Sequence, residues 1–590
     1  MSQDLQNSSW DNSNVYTTLS DPKLASDMGV VLKNLQTIDD KKNATDLETV
    51  KSIYRLYLDT CMTLHSMLTF GNCMTSVNAL DYAAKSFLDK TNKTYIDVSK
   101  SFKPIQLLVL RSSEEFYKAF LDDPRTAGLD FILGKERERN DFLLSDNEEV
   151  LLTGFSTDGL SAWGKLYSDI SGAMKINVDG VVMGLSGASN ILGLDDRKKR
   201  ESAFRAINAG WRENEIAANA ILNSINGWRN ENCNARSTKK ELHYLDSACH
   251  SAHITRATLD TLMETTYNKR SIGQEVLKIS AAELGTERLG PWDLLAPAPT
   301  KNKTKTSTIS YPEAMNIIEK AFNEVDPSMG AFARMMEEKK WIDCATTENR
   351  APGAYCTKFA AQKEPRVFMT YDGSMKSVIT LAHEIGHAYH TWVMRDLDWS
   401  HTFYPMTLAE TASIFAETTV RDYFVKHSSD QAELKSILWQ DIQSAQSFLI
   451  NIPARFEFEK RFVEKRKINF VSVPETKELI SESLKHWYGE TLSEYDEMFW
   501  ASKLHFHMSG RSFYNYPYLF GYLFSMGVYA KKAEFGADFH PRYVALLMDT
   551  GRMKAEELVM KHFNEDITKE DFWLKSISIV EKTLAKYKSL

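Results

Sequence analysis

Two histidines and a glutamate open the chemistry of this chain. The stretch Leu381-Ala-His-Glu-Ile-Gly-His-Ala-Tyr-His390 contains H-E-x-x-H, with His383 and His387 four residues apart. Four residues is just over one helical turn, so both imidazoles leave the same face of a helix. At that separation two neutral ring nitrogens can bind one Zn²⁺. Glu384, beside the first ligand, is placed to take a proton from water at the metal. A catalytic zinc uses three protein ligands and keeps one position open. Glu410, in Thr407-Leu-Ala-Glu-Thr-Ala-Ser-Ile-Phe-Ala-Glu417, is the candidate third ligand. It lies 27 residues after His383, room for a loop and a returning antiparallel helix. Glu417, two turns further on the same face, is a candidate to hydrogen-bond a ligand from behind.

These residues need elements to hold them. Arg366-Val-Phe-Met-Thr-Tyr371 reads as a strand, and Asp372-Gly-Ser374 follows, with Asp372 or Ser374 as the cap of the histidine helix. Ala351–Thr357 and Arg366–Tyr371 read as an antiparallel pair ahead of that helix, whose edge can accept an added peptide strand. The bare pentapeptide also arises by chance. Its weight comes from the apolar flanks, the capped helix and the two in-phase glutamates downstream.

The remaining chain reads as mainly helical. Residues 20 to about 130 show apolar positions near a 3.6 period, with few Gly or Pro, as helical hairpins do. Gly134–Asn140 is charged and reads as a solvated helix face. Ser145-Asp-Asn-Glu148 reads as a helix start, and Val178–Gly184 as a hairpin. Asn226–Lys240 is polar and reads as a loop or helix end. His243, His250 and His253 cluster but lack a carboxylate at a known ligand spacing. Pro291 to Ser310 reads as a connecting loop and Pro312 as the first turn of a helix. After Glu417 the pattern is helical to the last residue, interrupted by a tyrosine-rich block, His505 to Tyr522, in which Gly510, Pro517 and Gly521 read as breaks.

Composition narrows the function classes. The chain has 590 residues, 43% hydrophobic and 25% charged, the balance of an ordinary globular protein with a large core. Its net charge is −8, so nucleic acid and anionic membrane surfaces are not expected partners. No apolar run of membrane-spanning length and no apolar leader are present. Six cysteines without C-x-x-C read as free thiols of a reducing compartment, so a cytoplasmic location is expected. Sequons such as Asn92-Lys-Thr and Asn302-Lys-Thr are therefore read as unused.

In three blocks, Thr380–His390, Ala409-Glu-Thr-Ala-Ser413 and Tyr514–Tyr522, the sequence resembles the thimet-type (M3) zinc metallopeptidases, in their oligoendopeptidase F branch. The likeness runs from about Pro291 to Tyr529 and is vaguer before. It implies a two-lobed, mainly helical fold with a deep channel and a small antiparallel sheet beside the histidine helix. It implies one Zn²⁺ on His383, His387 and Glu410, Glu384 as general base, and short peptides as substrates. It also implies that a histidine and tyrosines of the C-terminal block donate to the substrate oxyanion. His507, Tyr514 and Tyr522 are favoured, with His505, Tyr516 and Tyr518 as alternatives. The division expected is an N-terminal helical domain, 1–190, and a catalytic domain, 191–590. Two other readings compete: a zinc carboxypeptidase of the carboxypeptidase Taq type, and a non-catalytic peptide-binding scaffold.

Overall fold

The structure, a computed structural model, describes residues 7–297, 308–428 and 430–590. It is mainly α-helical, with two small sheets. Its contacts divide the chain into two compact units, each assembled from three segments. One comprises Met1–Asn140, Lys305–Ser429 and Val528–Glu565; the other comprises Asp141–Thr304, Asp430–Gly527 and Asp566–Leu590. The sequence division at residue 190 thus falls inside the first segment of the second unit.

In the first unit the N-terminal helices form as their periodicity predicts, over Pro22–Asp40, Leu47–Val77 and Tyr82–Arg111. Aspartates start all three: Asp21, Asp46 and Asp81 accept from the backbone N–H groups of Lys23, Thr49 and Ala84. Each such cap typically stabilises by about 1 kcal/mol. Their apolar faces close over Tyr54, Leu64, Met67, Phe102 and Phe120. Arg137, in the charged Gly134–Asn140 stretch, turns inward instead of facing water. It donates to the carbonyls of Val109, Leu110 and Ser112, capping the end of Tyr82–Arg111.

The sheet of this unit has three strands, in the order Ile342–Asp343, Glu364–Phe368, Tyr355–Phe359. The expected antiparallel pair is present, with Tyr355 opposite Phe368. The sheet as a whole is mixed rather than antiparallel, because Ile342–Asp343 runs parallel to the central strand. A two-residue strand carries no alternation to read. The outer edge of Tyr355–Phe359 is partly taken: Thr69 Oγ1 donates to the Lys358 carbonyl at 2.9 Å. The central strand leads into the histidine helix, Met375–Val393, which Ser374 caps by accepting from Ser377 N. A second helix, Met406–His427, carries the glutamates and packs against it. Gly386 is the contact point. A Cβ there would lie 2.6 Å from the Ala412 carbonyl oxygen and 2.7 Å from Ser413 Cα.

In the second unit the core includes Trp211, Ile225, Phe458, Tyr488 and Trp500. The hairpin Lys175–Val178/Val181–Gly184 turns at Asp179-Gly180, both at positive φ, the conformation a two-residue hairpin loop asks for. The polar run after Asn226 is not a loop, because helix Glu215–Arg236 continues through most of it. Asn219 and Asn223 of this helix are buried and donate to the Val471 carbonyl at 2.9 Å, and Val471 N–H returns a bond to Asn223. Ser145 and Glu148 form the expected capping box, and Pro312 sits in the first turn of Tyr311–Asn323 in the other unit. Half of the Pro291–Ser310 connection, Asn302 included, lies outside the described residues. Gly521 does not break a helix but sits inside Tyr516–Phe535, which Pro517 opens.

Candidate metal centre

The histidine helix and the glutamate helix meet so that His383 faces Glu417 while His387 faces Glu410, the order of an antiparallel pair. Three ligand atoms converge there. His383 Nε2 and His387 Nε2 are 3.2 Å apart, and Glu410 Oε2 lies 3.5 Å from the first and 3.6 Å from the second. Atoms bound tetrahedrally to one zinc at 2.0–2.1 Å stand about 3.3 Å from each other, so the triangle fits such an ion with little movement. Among the described residues this is the one group of three His, Cys, Asp or Glu side chains that gathers this way. His243, His250 and His253 do not form another.

The atoms behind the ligands decide what the front atoms offer. His383 Nδ1 is 2.5 Å from Glu417 Oε1, so Nδ1 carries the proton and Nε2 presents a lone pair. His387 is likewise held by the Ala409 backbone. Arg421 Nη2 donates to the other Glu417 oxygen at 2.6 Å, and Ser413 Oγ donates to Glu410 Oε2 at 2.7 Å. The periodicity of the glutamate helix pointed to Glu417. It gave no signal for Ser413 or Arg421, which stand three and four residues after their partners, the spacing at which helical side chains meet.

The electrostatics describe a place for positive charge. Burial works against a charged His383, yet the hydrogen bond to Glu417 and the charges of Glu417, Glu410 and Glu384 lift its pKa to about 9. Burial pushes His387 down to about 4, with Glu410 opposing and His383 reinforcing. Glu417 is held below the usual carboxylate range; burial opposes this, but Arg421 and His383 outweigh it. Three carboxylates and one guanidinium surround two imidazoles, of which His383 is drawn toward its charged form and His387 toward its neutral one. A divalent cation suits that imbalance better than the proton does.

Glu384 is 5% exposed, and its Oε2 is buried with no hydrogen-bond partner. Burial raises its pKa to about 7, helped by Glu410 and Glu417 and opposed by His383. A carboxylate kept free and weakly acidic beside the ligands is what a proton acceptor requires. The next histidine of the motif, His390, is enclosed and holds the helix in place. Its Nε2 contacts the Leu547 carbonyl at 3.1 Å and Thr550 Oγ1 at 2.9 Å, and its ring stacks on Tyr404.

The tyrosine-rich block belongs to the second unit. His507 is 0% exposed, stacked on Tyr167 at 4.1 Å, with Nδ1 on the Lys503 carbonyl. Tyr522 is also enclosed and stacks on Phe448. His505, Tyr514 and Tyr518 are partly open and form a ring cluster, His505 standing 6.2 and 6.1 Å from the two tyrosines. His507, favoured over His505 from the sequence, is thus the enclosed ring of the two, and His505 the partly open one. The segment between is fixed from both sides. Arg229 donates to the Met508 and Arg511 carbonyls at 2.5 Å, and Glu459 accepts the Phe513 N–H at 2.7 Å.

Comparison with known proteins gives the family. The profile of "Peptidase family M3" matches residues 191–579, and that of "Oligopeptidase F" matches 109–176. A Borreliella burgdorferi oligoendopeptidase F homolog is 22% identical over 82% of this chain and 81% of its own. A solved chain from Chlamydophila abortus superposes with a TM-score of 0.84 at 18% identity, over 98% of both chains. The oligoendopeptidase F structure from Enterococcus faecium gives 0.68 at 16% identity, over 96% of this chain and 98% of that one. With two thirds of its length matched by the family profile and the whole fold shared, the chain is a peptidase belonging to family M3.

Proposed function

We propose that this peptidase is a zinc-dependent oligoendopeptidase that hydrolyses internal bonds of short peptides. One observation carries the reading: two Nε2 atoms and Glu410 Oε2 gather within 3.6 Å of one another, beside a buried glutamate with a free oxygen. His383, His387 and Glu410 would hold the ion, which supplies Lewis acidity to acidify water and polarise a peptide carbonyl. Glu384 accepts the proton of the attacking water on Oε2 and returns it to the departing amine nitrogen. Glu417 keeps the His383 proton on Nδ1 throughout, so Nε2 stays a ligand. Of the tyrosine-rich block, His505 and Tyr514 rather than His507 and Tyr522 are proposed to meet the substrate, a reading supported by the openness of the first pair and the enclosure of the second. Residues 191–590 hold every residue in this scheme, and 1–190 precede them.

Short peptides are the partners proposed, with strand addition confined to the stretch of Tyr355–Phe359 before Lys358. A cytoplasmic location is proposed on six free cysteines. No helix among the described residues is long and apolar enough to cross a membrane. The test is a digest of peptides of graded length with both ends blocked, with and without a chelator. Internal cleavage of the shorter ones that stops on chelation is expected. Removal of single C-terminal residues from unblocked peptides alone would replace this reading with the carboxypeptidase one.

A further inference from the structure

The second unit holds two neighbouring cations that, among the described residues, make no ion pair with a carboxylate. Arg455, on helix Ile452–Ile468, has its Nε buried without an acceptor. Among the described residues it forms no hydrogen bond and no ion pair, and the acidic groups that face it are the phenols of Tyr488 and Tyr518. Lys503 comes to the same place from the segment before His505. The guanidinium carbon and the ammonium lie 5.4 and 5.0 Å from one ring, Phe499. The carboxylate within electrostatic reach of Lys503 is Asp496, and it is occupied: it accepts from Asn208 Nδ2 at 2.8 Å and from Met498 N at 3.0 Å. Glu459, the other acid of helix Ile452–Ile468 turned into this region, is spent on Phe513 N–H and Asn515. Arg511 adds a further cation over the Tyr514 ring, at 4.5 Å.

Leaving two desolvated cations unpaired is costly, and a fold does so where a ligand brings the missing charge. The cost shows in their acidity. Burial brings Lys503 down to about 8, with Arg455 adding to the effect, and Arg455 down to about 10. Burial and the two cations also hold His505 below its ordinary value. A guanidinium carries parallel N–H donors, the pattern that matches a carboxylate. The phenols and imidazole of Tyr518, Tyr514 and His505 supply further donors around it.

We propose that Arg455 and Lys503, with His505, Tyr514 and Tyr518 around them, form a site for a carboxylate of the peptide substrate. This rests on the oligopeptidase reading above. The terminal carboxylate of the peptide is one source of that group. A Glu or Asp side chain offers the same chemistry, and the experiment separates the two sources.

The experiment uses the full chain loaded with zinc and pairs of matched peptides: free acid against C-terminal amide, and internal Glu against Gln. The unsubstituted enzyme is expected to favour the carboxylate member of one pair by roughly 10–100-fold in kcat/KM, the range of a charge-assisted pair. Arg455→Met and Lys503→Gln are expected to erase that preference through KM, with kcat on the neutral member kept. Discrimination in the terminal pair assigns the C-terminus; discrimination in the Glu pair assigns a side chain. Should Arg455→Met fail to fold, inhibition of the unsubstituted enzyme by an acetylated dipeptide acid, but not by its amide, serves as the second measurement. Equal hydrolysis of both members of both pairs, or a preference that survives in both variants, overturns the carboxylate site while leaving the peptidase reading intact. No hydrolysis of any peptide would instead strike at the peptidase reading, and inhibition equal for acid and amide would still overturn the site.

Discussion

Replacing Glu417 by glutamine tests whether the metal centre is tuned from behind. The carboxylate has two engagements, His383 Nδ1 at 2.5 Å and Arg421 Nη2 at 2.6 Å, and both partners are donors. An amide has one oxygen and one NH₂, so it can satisfy only one of them. If its oxygen stays with Arg421, the NH₂ faces Nδ1, which must then accept, and the ring proton moves to Nε2. The ligand lone pair is lost until the metal displaces that proton. If instead the oxygen turns to His383, the Arg421 guanidinium, with a side chain 9% exposed, loses its charged partner. Leaving a buried group unsatisfied costs about 1–3 kcal/mol. Either route predicts metal binding weaker by roughly 10–100-fold, about 1.4–2.7 kcal/mol. The assay is a chelator-buffered zinc titration near pH 7.5 on the unsubstituted and Glu417→Gln proteins, with turnover measured at saturating zinc. Recovery of most turnover at high zinc is expected, because the ligands remain. Glu410→Ala should lose more affinity than Glu417→Gln, since it deletes a ligand instead of misorienting one. Zinc affinity unchanged within twofold in Glu417→Gln would refute the claim that this carboxylate sets the His383 tautomer.

Glu384→Gln keeps its shape and removes the proton acceptor. Zinc content should stay the same and peptide turnover should fall about 10²–10⁴-fold, and a variant that still cleaves at the original rate rules out Glu384 as the base. Gly386→Ala forces the two helices apart at the Ala412 carbonyl; a loss of about 1–3 kcal/mol in stability and weaker zinc binding are expected together, measured by thermal melting and chelator competition. An unchanged melting curve would contradict the close contact. His507, enclosed and pushed down to about 4 by burial, is a source of acid sensitivity. Its folded pKa lies below that of the unfolded chain, so between about pH 6.5 and 4 the unfolded state binds the extra proton. The stabilisation is complete above about pH 6.5 and is lost toward pH 4, by about 1.4 kcal/mol per pH unit. His507→Phe, which keeps the stack on Tyr167, should narrow the gap in melting temperature between pH 7.5 and pH 5; an unaltered gap would mean that His507 titrates normally.

The metal centre was legible because its geometry is local. His383 and His387 share a face by spacing alone, and the glutamate helix announces itself by period, so Glu410 and Glu417 fall in phase. What remained hidden depends on partners far away in the chain. Asn226–Lys240 looks like a loop or helix end by its polarity, yet it opens inside helix Glu215–Arg236, whose buried Asn219 and Asn223 bond Val471 some 250 residues on. His505 and His507 are neighbours in a short turn, and only Tyr167, packing on one of them, tells which ring is closed off. Ile342–Asp343 pairs in parallel through two residues, too few for any pattern. The units themselves interleave along the chain, so no single boundary such as residue 190 marks them.

The interleaving sets a timetable. The helix carrying His383 and His387 is braced two turns beyond His383 by Leu547 and Thr550, through His390. During synthesis that brace leaves the ribosome more than 150 residues after the motif does. A nascent chain therefore carries the metal-binding motif long before it carries the contacts that hold its helix.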